Sequence, residues 1–197
     1  MPPAQTPPPP DAANLYQAAL SYLARYAATE AGLRRVLIKR VDRWARTQAD
    51  RDAAAPVIAA ARKAIDAVIG KLVHAGAVSD ASFAQGRVRS LLHTGRSRRA
   101  IQARLVAKGI APDLARDAAG DDAGSELAAA LVLTRRRRIG PFRAGEPADM
   151  AATQRKELGM LARAGFARDT AQQALRMDAL EAERRIHALR SDQAIAD

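Results

Sequence analysis

Apolar residues recur along this chain at the three-to-four-residue spacing that lines one face of a helix. Leu15, Ala19, Leu20, Leu23 and Tyr26 form a first stripe, and Leu33, Val36, Leu37, Val41 and Trp44 a second, entered at a candidate cap, Thr29. Ile58, Ala61, Ile65, Val68, Ile69 and Leu72 make the clearest stripe, with Pro56 suited to its first turn and Gly76 to its end. Val88, Leu91 and Leu92 stripe a fourth helix that Gly95 breaks; Ser97 caps a fifth with Ile101 and Leu105, which Gly109 stops. Asp113 caps a short helix through Leu114 and Ala118. Leu127, Leu131 and Thr134 open another, which runs into Arg135–Arg138 and the Gly140-Pro141 turn. Met150, Gln154, Leu158 and Leu161 carry the next, and a last helix from Asp169 is expected to continue unbroken through Leu175 and Leu180 to Leu189.

The cap-stripe-stop grammar repeats. Thr29, Leu33 and Leu37 are echoed by Ser97, Ile101 and Leu105, and Leu105, Gly109, Ile110 and Asp113 by Leu161, Gly165, Phe166 and Asp169. Three-helix units of this size bury their apolar faces by stacking on neighbours. The predicted fold is all-α: tandem three-helix repeats forming an elongated, curved stack, right- or left-handed. Residues 1–13 are a proline-rich leader expected to be disordered. Repeat 1 spans 14–78, with helices over 14–27, 30–46 and 56–75. Repeat 2 spans 79–120, with helices over 80–94, 98–108 and 113–119. Repeat 3 spans 125–190, with helices over 125–138, 148–164 and 169–190.

Charge changes the picture. Lys and Arg number 32 against 21 Asp and Glu, a formal net +11, which points to a polyanionic partner, although charge also serves solubility. The stretch from Phe83 to Ile110 contains no acid at all. With 4% aromatic residues, binding of single strands by base stacking is disfavoured and phosphate contact is left. No cysteine is present, which removes disulfides and thiolate metal sites and suits a reducing compartment. No apolar run approaches the ~18 residues of a membrane span, and the leader lacks the order of a secretory signal. A soluble, cytoplasmic protein is expected.

Nothing in the sequence carries a catalytic or metal motif. His74, His93 and His187 have no second histidine or cysteine at ligand spacing. Gly70-Lys71 lacks the rest of a phosphate loop, and Asp121-Asp122 reads as a turn or cap. Neither a metal nor a cofactor is expected, and no residue is assigned a catalytic role.

The blocks Tyr22-Leu-Ala-Arg25 with Thr29 and Leu33–Leu37, Phe83-Ala84 with Arg87–Ser90, Gly95–Ile101 with Arg104-Leu105 and Lys108–Ile110, and Leu161–Phe166 with Asp169–Ala171 and Ala174-Leu175 together resemble the RecX family of bacterial recombination regulators. The resemblance runs from about Leu15 to Leu180 and departs from the pattern at Val41–Arg46, where the first repeat is lengthened. It implies a non-enzymatic protein that binds the RecA filament on DNA, lies along its groove, and suppresses ATP hydrolysis, strand exchange and co-protease activity. On that reading the candidate contacts to RecA or to DNA phosphates are Arg96, Arg98, Arg99, Arg104 and Lys108 in the second repeat and Arg135, Arg136, Arg137 and Arg138 in the third. The run of four arginines is also well placed simply as the positive end of a helix. Two alternatives are a helix-turn-helix DNA-binding regulator, against which no helix shows a base-reading set, and a non-specific nucleic-acid chaperone. A monomer is expected.

Overall fold

The structure, a computed structural model, describes residues 8–194. Among these there are ten α-helices and no strand: α1 (Ala12–Leu23), α2 (Glu30–Ala45), α3 (Arg51–His74), α4 (Asp80–His93), α5 (Arg98–Ala107), α6 (Pro112–Ala119), α7 (Ala123–Arg137), α8 (Met150–Arg163), α9 (Arg168–Arg176) and α10 (Ala179–Ala194), with a short 3-10 turn at Gly140–Phe142. The chain forms two compact units, one made of the chain up to Phe83 together with Lys108–Ile110, the other of Ala84–Ala107 and the chain from Ala111 onward.

In the first unit, α1, α2 and α3 pack on one another. Leu15 and Ala19 of α1, Leu33, Leu37 and Val41 of α2, and Ile65, Val68, Ile69 and Leu72 of α3 make a continuous apolar core, so the three stripes read from sequence meet in one core, except that Leu20 and Tyr26 of the first stripe are exposed and Tyr26 lies beyond the end of α1. Ion pairs Arg34–Asp66 (2.7 Å) and Arg62–Asp42 (3.0 Å) link α2 to α3 outside it; both are exposed and add little stability. Part of the expected leader lies outside the described residues; Pro8–Pro10 lead directly into Asp11, whose carboxylate accepts the Asn14 N–H and starts α1 at Ala12. Residues 51–55, expected to lie in the link between the second and third helices, are instead the start of α3. Asp50 accepts the N–H groups of Asp52 and Ala53, so the helix starts at Arg51 and carries Pro56 in its second turn.

The second unit is organised around α7, which meets α9, α10 and the 3-10 turn. Every residue from Glu126 to Thr134 is buried. Sequence periodicity marks only Leu127, Leu131 and Thr134; the intervening alanines, being small, let neighbours approach on the remaining sides, and the helix is buried all round. Leu131 is fully buried. Leu131→Ala is therefore expected to cost about 2–5 kcal/mol, read as a shifted denaturation midpoint by circular dichroism; a change within error would remove α7 from the centre of this unit.

The long last helix expected from sequence is two helices. Met177 is extended (φ −64°, ψ 148°), and Asp178 accepts the N–H groups of Leu180 and Glu181, capping α10. An aspartate that satisfies two free amides of a new helix offsets the helical bonds given up at the break.

The two echoes in the sequence are the same structural device used twice. Thr29 Oγ1 accepts the Gly32 N–H at 2.9 Å and donates to the Lys108 carbonyl at 2.9 Å. Ser97 Oγ accepts the Ala100 N–H at 3.3 Å and donates to the Ala164 carbonyl at 2.6 Å. In each case the next amide reaches a carboxylate: Glu30 N–H to Asp80 at 2.8 Å, Arg98 N–H to Glu126 at 2.9 Å. Each accepting carbonyl precedes a left-handed glycine, Gly109 or Gly165, and then a buried Ile110 or Phe166. The caps are thus latches that tie a helix start to a helix end distant in sequence, and α2 and α5 hold equivalent places in successive helical repeats. The first latch also explains why Lys108–Ile110 fold with the first unit.

The second latch is sensitive to protonation. Burial pushes the Glu126 carboxyl above the ordinary glutamate range, with the Arg98 N–H and guanidinium opposing the shift. The folded state thus binds the proton more tightly than the unfolded chain, so ionisation removes stability as pH rises through the range just above the ordinary glutamate value, and acidification restores it. Glu126→Gln retains an oxygen for the Arg98 amide and is expected to flatten that part of the curve of melting temperature against pH. A curve of unchanged slope would mean that Glu126 titrates normally.

Candidate functional site

Three chain segments of the second unit bring arginines together. The α4–α5 turn supplies Arg96, held beside Gly95, whose left-handed backbone (φ 74°) lies against α7: a Cβ there would come within 2.9 Å of the Leu133 nitrogen. The end of α7 supplies Arg136 and Arg137, and the last turn of α8 supplies Arg163. They line one open cleft of 420 Å³, with Leu133, Met160 and Ala164 as its remaining walls and no acidic residue among them. Burial, followed by the charges of Arg104 and Arg136, holds the Arg96 guanidinium below the ordinary arginine value. An arginine stays charged even so. The cleft is therefore a concentration of like charge that a bound anion would relieve, with planar donors suited to phosphate or carboxylate.

The nine residues singled out in the sequence separate by role. Arg96, Arg136 and Arg137 line the cleft, and Arg104 adds to its field. Arg136 donates one bond to the Thr94 carbonyl at 3.2 Å and is otherwise exposed. Arg99 is exposed and contributes its Cβ to the surroundings of Gly165. Arg98 is engaged internally, its side chain 3.6 Å from the buried Glu126 and donating to the Gly120 carbonyl at 3.2 Å. Arg135 is paired with Glu183 at 2.8 Å. Arg138 closes α7 in the left-handed conformation (φ 53°, ψ 51°), alone among the described non-glycine residues. The four consecutive arginines are thus not equivalent, because each successive residue of a helix end points about 100° further round and meets a different neighbour.

Lys108 belongs to the first unit, where it lines a smaller cleft of 230 Å³ with Tyr22, Arg35, Lys39 and Phe83. Arg35 also donates to the Lys108 carbonyl at 3.2 Å. Tyr22 stacks at a tilt on the exposed Tyr26, ring centroids 5.1 Å apart. The few aromatic residues are therefore partly gathered beside cations, which the composition did not disclose.

Arg163 was missed by the sequence reading. The signal that would have found it is the pairing of the Leu161–Phe166 stop with the Ser97 cap, since the Ala164 carbonyl on Ser97 draws the preceding Arg163 up to Arg96. Arg143 and Glu157 were missed as well: Glu157 is buried, accepts from Arg143 Nη2 at 2.6 Å and Nε at 3.0 Å, and accepts the Gly140 N–H at 3.3 Å. Nothing in their spacing announces this pair, which forms through the turn between α7 and α8. Among the described residues no group of histidines and carboxylates is clustered to hold a metal ion, and no helix is long and apolar enough to cross a membrane.

Residues 79–118, which include α4, α5 and all but the last residue of α6, match the family described as RecX, second three-helix domain. The chain is 36% identical over 154 residues to the regulatory protein RecX of Myxococcus xanthus, covering 77% of this chain and 79% of that protein. It is 31% identical over 107 residues to the regulatory protein RecX of Agrobacterium fabrum, covering 54% and 56% respectively. The fold is similar to the crystal structure of RecX from Lactobacillus salivarius, with a TM-score of 0.61 at 20% identity over 84% of this chain and 94% of that one. The 36% identity to the Myxococcus xanthus protein over most of both chains places this chain in the RecX family of regulatory proteins.

Proposed function

We propose that this protein modulates the RecA recombinase, binding RecA filaments assembled on DNA and suppressing their ATP hydrolysis, strand exchange and co-protease activity without chemistry of its own. Membership of the RecX family supports the choice of partner. The observation that carries the mode of action is the cleft of Arg96, Arg136, Arg137 and Arg163, which lacks an acidic lining residue. Such a cleft supplies cationic forks at fixed positions for phosphates of the DNA within the filament or for carboxylates on the filament surface. The protein acts in the cytoplasm, as a monomer, on this reading.

The test is ATP hydrolysis by preformed RecA filaments on single-stranded DNA as the protein is titrated in, with binding to bare DNA followed in the same salt. Inhibition at concentrations that leave bare DNA unsaturated supports a filament-directed regulator. Inhibition that follows the coating of DNA would favour a second reading, a direct nucleic-acid-binding protein. The gathering of Tyr22, Arg35, Lys39, Phe83 and Lys108 around one cleft speaks for that alternative, since rings beside cations suit single strands.

A further inference from the structure

A second cleft of the second unit, separate in its residues from the arginine cleft, has a different chemistry. It lies on α8 and α9 with a volume of 550 Å³, within the range of sites that take small molecules or peptide side chains. Met150, Leu158 and Leu175 give it apolar walls, Met150 being 43% exposed and the two leucines half-buried. Arg155 and Arg176, both exposed, stand at its margin and have no ion-pair partner among the described residues. The acid in its lining, Glu157, is buried and neutralised by the two bonds from Arg143, and so does not repel an anion. Arg143 also directs Nη1 at the Met150 sulfur, 3.8 Å away.

We propose that this cleft docks an acidic peptide segment of another protein that carries one large apolar side chain. Unpaired guanidiniums are matched by carboxylates, which they grip two-pronged, and the exposed methionine and leucines are matched by an apolar anchor that removes them from water. A nucleic-acid backbone would satisfy the arginines and leave the apolar walls wet. An uncharged apolar ligand would cover the walls and leave two cations to be desolvated without a partner.

The probes are fluorescein-labelled heptapeptides of aspartate and glutamate with a central Leu, Ile, Met or Phe, and a central-Ala control, titrated with the full chain and read by anisotropy. At least one apolar-centred peptide is expected to bind saturably and to weaken roughly tenfold or more when its centre becomes Ala, and again in the doubly substituted Arg155→Glu, Arg176→Glu protein. Both arginines are exposed, so the helical circular dichroism should not change. Leu158→Lys, on the wall, is a second variant expected to weaken the same peptide. The proposal fails if no peptide binds saturably up to millimolar concentration, or if the Ala-centred peptide or the double variant binds as well. It fails equally if the double variant loses oligothymidylate binding as strongly as peptide binding, which would make this a phosphate site. Because the readout contains no RecA, these outcomes are independent of whether the protein inhibits filaments.

Discussion

Substituting Arg136→Glu and Arg163→Glu together is expected to raise the concentration needed to half-inhibit filament ATPase by roughly tenfold or more, with the circular dichroism spectrum unchanged. Both side chains are exposed, and they come from different helices, α7 and α8, so neither substitution touches a core. They face the same cleft as Arg96, whose charge is disfavoured first by burial and then by Arg104 and Arg136. Two reversals turn a site of four cations and no acid into one of nearly balanced charge, and its net attraction for an anion is lost. Salt dependence then separates the two possible targets. If the arginines meet phosphates, the slope of log affinity against log salt should become shallower by roughly 0.9 for each duplex phosphate that is no longer neutralised; if they meet carboxylates, potency falls with little change in the DNA-binding slope. Unchanged potency would remove the cleft from the mechanism. Arg98 and Arg135 are informative controls. Arg135→Ala removes an exposed ion pair to Glu183 and should change neither stability nor inhibition by much, whereas Arg98→Ala strips the buried Glu126 of its cation and should destabilise the fold.

The second large effect lies in the latches. Gly109→Ala and Gly165→Ala are each expected to cost about 2–5 kcal/mol, from the strain of a left-handed alanine together with overpacking. Gly109 has φ 93°, and a Cβ on it would lie 2.3 Å from the Ala31 Cβ. Gly165 has φ 92°, and its Cβ would lie 2.6 Å from Ser97 Oγ, displacing the hydroxyl that holds the Ala164 carbonyl. The single tryptophan, Trp44 on α2, belongs to the first unit. Denaturation followed by its fluorescence should therefore show the Gly109→Ala loss directly, while the Gly165→Ala loss should be recorded by circular dichroism with a smaller effect on the Trp44 midpoint. If either variant melts like the parent protein, the helix start can leave the helix end without penalty, and the latch is only a contact.

The helices were legible because each carries its own instructions. An apolar stripe, a capping Ser, Thr or Asp, and a stopping Gly act through neighbours within four residues: α2, α4 and α5 start where Thr29, Ser79 and Ser97 accept a free amide, whereas α6, expected to start at an Asp113 cap, begins at Pro112 behind Ala111 with Asp113 inside its first turn. The misreadings occurred where two local signals competed. Asp50 outranked Pro56 as the start of α3, and Asp178 divided a helix that periodicity alone would have continued.

The candidate site was legible as composition and not as geometry. Charge counting and the acid-free stretch from Phe83 to Ile110 identified a basic protein with an excess of arginine in the right region. Which arginines share a cleft depended on long-range bonds. Ser97 to Ala164 brings Arg163 to Arg96, the buried Glu126 engages Arg98, and Glu183 on α10 engages Arg135. Sequence by itself determined the helical grammar, its repetition and the sign of the charge, since these arise from interactions within a turn or two and from simple sums. Tertiary structure decided which cations are neutralised and which are left to bind, because an arginine's partner is whichever carboxylate or carbonyl the packed helices place within reach of its side chain.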